Sequence, residues 1–251
     1  MSSVHINNAK TVTIDCGDCP IQRHAICSRC DGDELHVLEQ MKTYRRYAKG
    51  EVITYMGEPM RHVGSLVSGV ASISQALEDG RRQIMGVLLP SDFIGRPGRR
   101  QAQYDITAAS EVVICRFEIT AFENMLRVSP SLGPRLLEMT MDELDAVRDW
   151  MLLLGRKSAR EKVATLIYHF AAKNRLLSGE LDHQSWHFML PLTREALADY
   201  LGLTIETVSR QMSALKKAGV IALQGQRVIV IPDFRLLQAE TGDECNNDQL
   251  P

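Results

Sequence analysis

Six cysteines stand in this 251-residue chain, and four of them form two close pairs, Cys16-x2-Cys19 and Cys27-x2-Cys30. Two CxxC pairs within fifteen residues point to metal ligation, because thiolates on neighbouring tight turns can converge on one soft cation. Four thiolates close a tetrahedral zinc knuckle. They suit an iron–sulfur cluster equally well, and spacing does not choose between the two. A knuckle needs no fifth thiol, yet Cys115 lies in the apolar run Val112-Val113-Ile114-Cys115-Arg116-Phe117. Taken alone, Cys115 reads equally as a buried core thiol, since free cysteine packs as a small hydrophobe. Cys245 falls in the acidic, polar stretch that includes Asn246-Asn247-Asp248 and is not expected to be a ligand.

A second stretch with chemistry runs from Leu192 to Arg210 and reads as two short helices joined at Gly202. Thr193 and Thr204 are N-caps, their hydroxyls accepting amide hydrogens left unpaired at helix starts. Gly202 supplies the left-handed residue that ends the first helix. Leu197, Leu201, Val208 and Met212 pack the inner sides, and Ala198 permits close approach. Glu206, Ser209 and Arg210 fall at i, i+3 and i+4 and so share one face, the face that a helix-turn-helix lays in the major groove. An ordinary surface hairpin with a Glu206–Arg210 pair has the same spacing. The residues downstream favour DNA. Val220-Ile221-Ala222-Leu223, the turn Gln224-Gly225-Gln226-Arg227, and Val228-Ile229-Val230-Ile231 form a β-hairpin pattern, the wing of a winged helix. From 156 to 235 there are 12 Lys/Arg against 7 Asp/Glu in a chain of net charge −2, so basic character is concentrated at the motif. Arg210 has the fork for a guanine and Glu206 the acceptor for a cytosine amino group. Ser209 suits a base edge or a phosphate. Thr204, Lys216, Lys217 and Arg227 are the candidate phosphate contacts.

These groups need a scaffold. With 45% hydrophobic and 24% charged residues, the chain can bury more than one core. No segment approaches the ~18–20 apolar residues of a membrane span, and the opening Met1-Ser2-Ser3-Val4-His5-Ile6 lacks the pattern of a secretory signal. The expected location is cytoplasmic, where thiols stay reduced and serve as ligands or sensors. Residues 1–42 read as a cysteine-rich segment ending in a short helix from Asp33 to Lys42, with Leu35, Leu38 and Met41 on one stripe. Residues 43–129 read as a β-roll: Val52–Tyr55, Val63–Gly69, Val70–Ser74, Gln83–Leu89 and Ile106–Phe117 are short apolar runs punctuated by glycine. Such a roll encloses a pocket, the natural seat of an effector. Residues 130–155 carry Leu137, Leu144 and Met151, and Thr140, Val147 and Leu154, each set recurring every seven residues. That is the seam of a dimerisation helix. Residues 156–236 hold the winged helix-turn-helix, and 237–251 are expected to be a disordered tail. The fold class is α+β: an N-terminal antiparallel, jelly-roll-like β-roll, a long central dimerisation helix and a C-terminal winged helix-turn-helix.

That order resembles the CRP/FNR superfamily of bacterial regulators across nearly the whole chain. Glu206-Thr207-Val208-Ser209-Arg210 is similar to the E-x-x-S-R recognition signature of its oxygen-sensing FNR branch. Pro90-Ser91-Asp92-Phe93-Ile94-Gly95 and Met151-Leu152-Leu153-Leu154-Gly155-Arg156-Lys157 are similar too. The resemblance implies an oxygen-labile 4Fe–4S cluster held by three N-terminal cysteines and one from the roll. The branch pattern C-x2-C-x5-C fits Cys16 and Cys19, but here the third thiol comes at x7 (Cys27) or x10 (Cys30). Cys27 needs the smaller insertion, and Cys30 runs straight into the helix start at Asp31 and Asp33. The implied ligands are Cys16, Cys19, Cys27 and Cys115, with Cys30 as the alternative to Cys27. Also implied are a homodimer, two-fold TTGAT-like DNA sites, contact with RNA polymerase, and regulation of anaerobic or microaerobic genes, mainly as an activator. Loss of the cluster in air would weaken the helix seam, where Asp142, Glu143, Asp145 and Asp149 repel their counterparts.

Rival readings fare worse. A cyclic-nucleotide regulator of the same superfamily needs a glutamate where Arg96 stands, and an arginine pair where Tyr104-Asp105 stands, so no cyclic nucleotide is expected. A CRP-type regulator with a structural four-cysteine zinc site, or with a different small-molecule effector, is the alternative. His5, His24, His36 and His62 form no haem-binding pattern. The roll has only His62, with no His-x-His pair, and the chain has no P-loop or nucleophile elbow; an enzyme is not expected.

Overall fold

The computed structural model describes residues 6–7, 11–12, 14–178, 186–225 and 227–243. His5, Gln226, Cys245, Asn246-Asn247-Asp248 and the rest of the expected tail past 243 lie outside the described residues. Two compact units divide the chain, one through Asp145 and one from Ala146.

In the first unit a two-stranded ribbon, β1 (Ile6–Asn7) and β2 (Thr11–Val12), precedes a short 3-10 turn at Cys16–Asp18 and helix α1 (Gly32–Met41). Helix α1 begins one residue before its predicted start because Asp31 caps it. Asp31 Oδ1 accepts from the Glu34 amide at 2.8 Å while Glu34 Oε2 accepts from the Asp31 amide at 3.0 Å, a reciprocal box that fixes the first turn. The roll is eight strands: β3 (Thr43–Tyr47), β4 (Val52–Thr54), β5 (His62–Ser68), β6 (Ala71–Ala76), β7 (Arg82–Leu88), β8 (Phe93–Ile94), β9 (Asp105–Ala108) and β10 (Val112–Glu118). They form two antiparallel sheets, β3-β10-β5-β8 and β4-β9-β6-β7. The run predicted as one strand from Ile106 to Phe117 is two, one in each sheet. Ala109 and Ser110 make the crossing, both donating their amides to the Val70 carbonyl.

Alternation along β10 sorts its residues between two faces. Val112 and Ile114 point inward with Tyr47, Leu66, Leu88 and Ile94. The inside of the roll thus holds a core of apolar side chains. Val113, Cys115 and Phe117 point outward, beneath the N-terminal segment and α1. Strand separation is tight at this point: a Cβ on Gly64 would sit 2.2 Å from the Cys115 carbonyl oxygen, so only glycine lets β5 lie against β10 here. Helix α2 (Ile119–Val128), which the sequence pattern did not single out, buries Phe122 between Phe93 and Phe117, with ring centroids at 5.6 and 5.4 Å. Burying such a ring is worth roughly 1.5–3 kcal/mol.

Helix α3 (Leu132–Arg156) covers the predicted 130–155 segment, and α4 (Ala159–Ser178) comes next. The second unit adds β11 (Trp186–Met189), α5 (Arg194–Leu201), α6 (Ile205–Lys217), β12 (Ala222–Gln224), β13 (Val228–Ile231) and α7 (Phe234–Ala239). The wing is a three-stranded sheet, β11-β13-β12, rather than the predicted hairpin alone. Val220 and Ile221, predicted in the strand, instead are buried ahead of it. The tail expected from 237 starts later. Leu237 is fully buried in α7, Glu240 pairs with Arg160 at 2.6 Å, and Asp243 pairs with Lys157 at 2.6 Å. Where α3 meets α5 in this unit, Trp150 stacks on Tyr200 with centroids 3.9 Å apart.

Candidate functional site

Four thiols, those of Cys16, Cys19, Cys27 and Cys115, line one cavity on the outer face of the sheet β3-β10-β5-β8. Around them stand Ile21, Ala25, Ile26, Leu38, Tyr44, Ser65 and Phe117, so the lining is largely apolar apart from sulfur. Pairing in the sheet sets Cys115 between Tyr44 on β3 and Ser65 on β5. The remaining three thiols arrive on the loop from Cys16 to Cys27, held down by Ile21, Ala25 and Ile26, all buried. Cys30 is not among the lining residues, although like Cys27 and Cys115 it packs against the core that holds Leu38, Phe122 and Leu132. Of the two open choices for the third ligand, Cys27 shares the cavity.

Electrostatics couple the thiols. Burial, then the neighbouring sulfurs of Cys19 and Cys16, push the Cys27 thiol up to about 11. Burial, then Cys19, Cys16 and Cys27, push Cys115 up to about 12. Each thiolate therefore makes the next harder to form, and a cationic centre among them would relieve that repulsion. Cys30 is pushed up to about 12 by burial, then by Glu34, and also by Cys27, Asp31 and Cys16. Cys16 differs from the others in having a cation on it. Lys42 Nζ donates to Cys16 Sγ at 3.2 Å, to Glu39 Oε1 at 2.8 Å and to the Ile14 carbonyl at 2.6 Å.

The donor set is four thiols, the ligand type that a zinc ion and an iron–sulfur cluster both take. A zinc ion with Zn–S bonds near 2.3 Å needs its sulfurs roughly 3.8 Å apart. Among the described residues no group of three or more His, Cys, Asp or Glu side chains is already gathered as a metal-ion site.

The same loop grips α3. Arg135 Nη2 donates to the His24 carbonyl at 2.6 Å and its Nε to the Ala25 carbonyl at 3.5 Å. Glu138 joins Arg135 at 2.5 Å to Arg29 at 2.6 Å. Glu34, buried, accepts from the Ser129 hydroxyl and from the Ser131 amide at 3.3 Å, and Ser129 Oγ accepts from the Leu132 amide at 3.1 Å. Sequence reasoning missed Lys42, Glu34 and Arg135, since the contacts that tie them to Cys16, Ser129 and His24 are made through the fold and not through local spacing. Beyond this anchored end, the seam residues Leu137, Leu144, Val147 and Met151 are exposed, with Leu137 at 59% and Met151 at 69%, and Met141 and Leu152 join them. Thr140 is also exposed and Leu154 half-buried.

The helix-turn-helix is built by its caps. Thr193 Oγ1 accepts from the Ala196 amide at 3.1 Å, and Thr204 Oγ1 accepts from the Thr207 amide at 3.2 Å. Gly202 has φ +61°, the left-handed conformation that turns α5 into α6. Val208, Met212 and Leu215 are buried, which leaves Glu206, Ser209 and Arg210 on the exposed face. Arg210 leans toward Thr207, Nη2 to Oγ1 at 3.4 Å, not toward Glu206. Ser213 continues the exposed face one turn on, and Ile205 opens it, 44% exposed. Thr204, Lys216 and Lys217 are exposed and Arg227 half-buried beside the wing turn. No helix of the described residues is long and apolar enough to cross a membrane.

Residues 161–240 match the Crp-like helix-turn-helix domain and residues 44–129 the cyclic nucleotide-binding domain. The chain is 52% identical over 241 residues to the transcriptional activator protein FnrL of Cereibacter sphaeroides, covering 96% of this chain and 97% of that one. It is 36% identical over 208 residues to the nitrogen fixation regulation protein FixK of Bradyrhizobium diazoefficiens, covering 83% and 86%. The solved structure of FixK2 from Bradyrhizobium japonicum matches with a TM-score of 0.72 at 31% identity, over 81% of this chain and 99% of that one.

Proposed function

Since the chain belongs to the CRP/FNR family of transcription regulators, we propose that it is an oxygen-responsive activator whose DNA binding depends on a 4Fe–4S cluster. The observation that carries this reading is the meeting of Cys115 on β10 with Cys16, Cys19 and Cys27 around one apolar cavity, the last three on a loop tied directly to α3. These four residues are the proposed ligands. When bound, such a cluster supplies an oxygen-labile redox centre to the fold.

The rest is done by the chain's own residues. Thiolate ligation fixes the loop that carries His24 and Ala25, and their carbonyls are the ones Arg135 grips. Arg135 and Glu138 then hold the first turns of α3 in register, ahead of the apolar stripe. A second copy of the chain covers that stripe through Leu137, Thr140, Leu144, Val147, Met151 and Leu154. Pairing of two copies spaces two α6 helices for a two-fold site with TTGAT-like halves. Arg210 reads a guanine, Glu206 a cytosine, Ser209 completes the face, and Thr204, Lys216, Lys217 and Arg227 meet phosphates. RNA polymerase is the partner through which bound DNA leads to activation. Against a cyclic nucleotide stand Arg96, where the family's nucleotide-holding glutamate is expected, and Asp105, near where its arginine pair is expected, which accepts from the Met56 amide at 2.8 Å.

Anaerobic purification of the full chain tests the reading. The expected product is brown, carries iron and acid-labile sulfide, sediments as a dimer and binds a TTGAT-type duplex. Air should bleach it and release monomer. Colourless protein with stoichiometric zinc would favour the structural-zinc alternative, and a dimer that persists after bleaching would overturn the switch.

A further inference from the structure

Lys42 is a lysine held almost out of water, its side chain 9% exposed. Burying an ammonium group is costly unless every proton finds a partner. Lysine has three such protons, and here all three are used: on the Ile14 carbonyl at 2.6 Å, Glu39 Oε1 at 2.8 Å and Cys16 Sγ at 3.2 Å. Glu39 Oε1 also accepts from the Cys16 amide at 3.1 Å, so the same pair of residues holds Cys16 by its backbone and by its sulfur. An ordinary i,i+3 surface pair of Lys42 and Glu39 would need neither the burial nor the sulfur contact. The lysine itself is fixed, since its backbone amide closes α1 on the Leu38 carbonyl at 2.9 Å.

We propose that Lys42 is a positioning residue for the metal centre, aiming the Cys16 sulfur and setting a fixed positive charge against it. The proposal rests on the cluster reading of the four thiols. Four thiolates bring excess negative charge into an apolar cavity, and the Lys42 ammonium, bonded to the Cys16 sulfur itself and paired on its other side with Glu39, offsets part of it at that sulfur. Partners of ligating groups tune both affinity and potential, through hydrogen bonds to sulfur and through net charge. Charge of this sign favours the more reduced state of a bound cluster, so it slows oxidative loss.

The test uses the full chain, loaded without oxygen from ferrous iron and sulfide, as wild type, Lys42→Met and Lys42→Arg. Three quantities are read: iron and sulfide per chain, the midpoint potential, and the decay of visible absorbance on exposure to air. Lys42→Met should show a lower potential and about tenfold faster decay, and Lys42→Arg should return both toward wild type. Equal potentials and decay rates in wild type and Lys42→Met would overturn the proposal. If Lys42→Met takes up no iron, Lys42→Arg decides: restored uptake supports the charge role, and failure alike overturns it. Wild type that itself takes up no iron and sulfide is a different result, the failure of the cluster reading.

Discussion

The two chemical regions of this molecule are built in opposite ways. Cys16, Cys19, Cys27 and Cys115 come from distant parts of the chain into a buried apolar cavity, where their environment pushes the thiols toward the protonated form. Glu206, Ser209 and Arg210 come from five consecutive residues and stand in solvent on a capped helix. One site depends on tertiary structure for its chemistry; the other depends on tertiary structure only to leave its chemistry exposed. Damage should therefore be all-or-none in the first and graded in the second.

The largest effect should come from the thiols. Single Cys→Ser changes at 16, 19, 27 or 115 should abolish iron retention after anaerobic loading, whereas Cys30→Ser should keep iron at the wild-type ratio. A Cys30 variant that fails while Cys27→Ser succeeds would move the third ligand out of the cavity. Next in size is the seam. Leu144→Glu should give a monomer in anaerobic sedimentation with weak operator binding, because it places a charge in an apolar contact; an unchanged dimer would remove this stripe as the interface.

Arg210→Ala should cost roughly 1–3 kcal/mol per half-site and relax preference at the guanine, read by selection from random duplexes. Lys216→Ala or Lys217→Ala should weaken all sequences alike and flatten the salt dependence. The same guanine at undiminished preference in the Arg210 variant would break the contrast between the regions. The smallest effect belongs to Glu34→Gln, about 1–3 kcal/mol in thermal or denaturant unfolding. The Ser129 hydroxyl bonded to Glu34 holds its carboxyl below the ordinary carboxylate range. A lowered folded value means stability present above the ordinary value of 4.5 and lost as pH falls through the folded one. The wild-type advantage should be complete at pH 7 and fade in acid.

The contrast also explains what could be read in advance. Thr193, Gly202 and Thr204 declare the helix-turn-helix because caps and turns act over three or four residues, and each holds its predicted position. The cysteine pairs announce ligation, but Cys27 and Cys30 are separated only by which of them the fold turns toward Cys115. Lys42, Arg135 and Glu34 each have a partner three residues away, but their contacts with Cys16, His24 and Ser129 span 26, 111 and 95 residues and left no local trace. Strand β11 alternates buried and exposed residues over only four positions, too few for its period to stand out. The late start of the tail was hidden because Lys157 and Arg160, which pair with Asp243 and Glu240, lie some eighty residues upstream.

Trp150 lies nearly parallel to Tyr200, at 16°, and its indole nitrogen is buried without an acceptor among the described residues. Indole emission shifts in colour and yield with the polarity around the ring and with the rings it touches. The chain's other tryptophan is Trp186 in β11. Replacing Trp186 with phenylalanine would leave one emitter, sited where α3 meets the first helix of the DNA-reading pair. The molecule thus carries a built-in optical gauge of that joint, able to follow α3 shifting against α5 in real time without an attached dye.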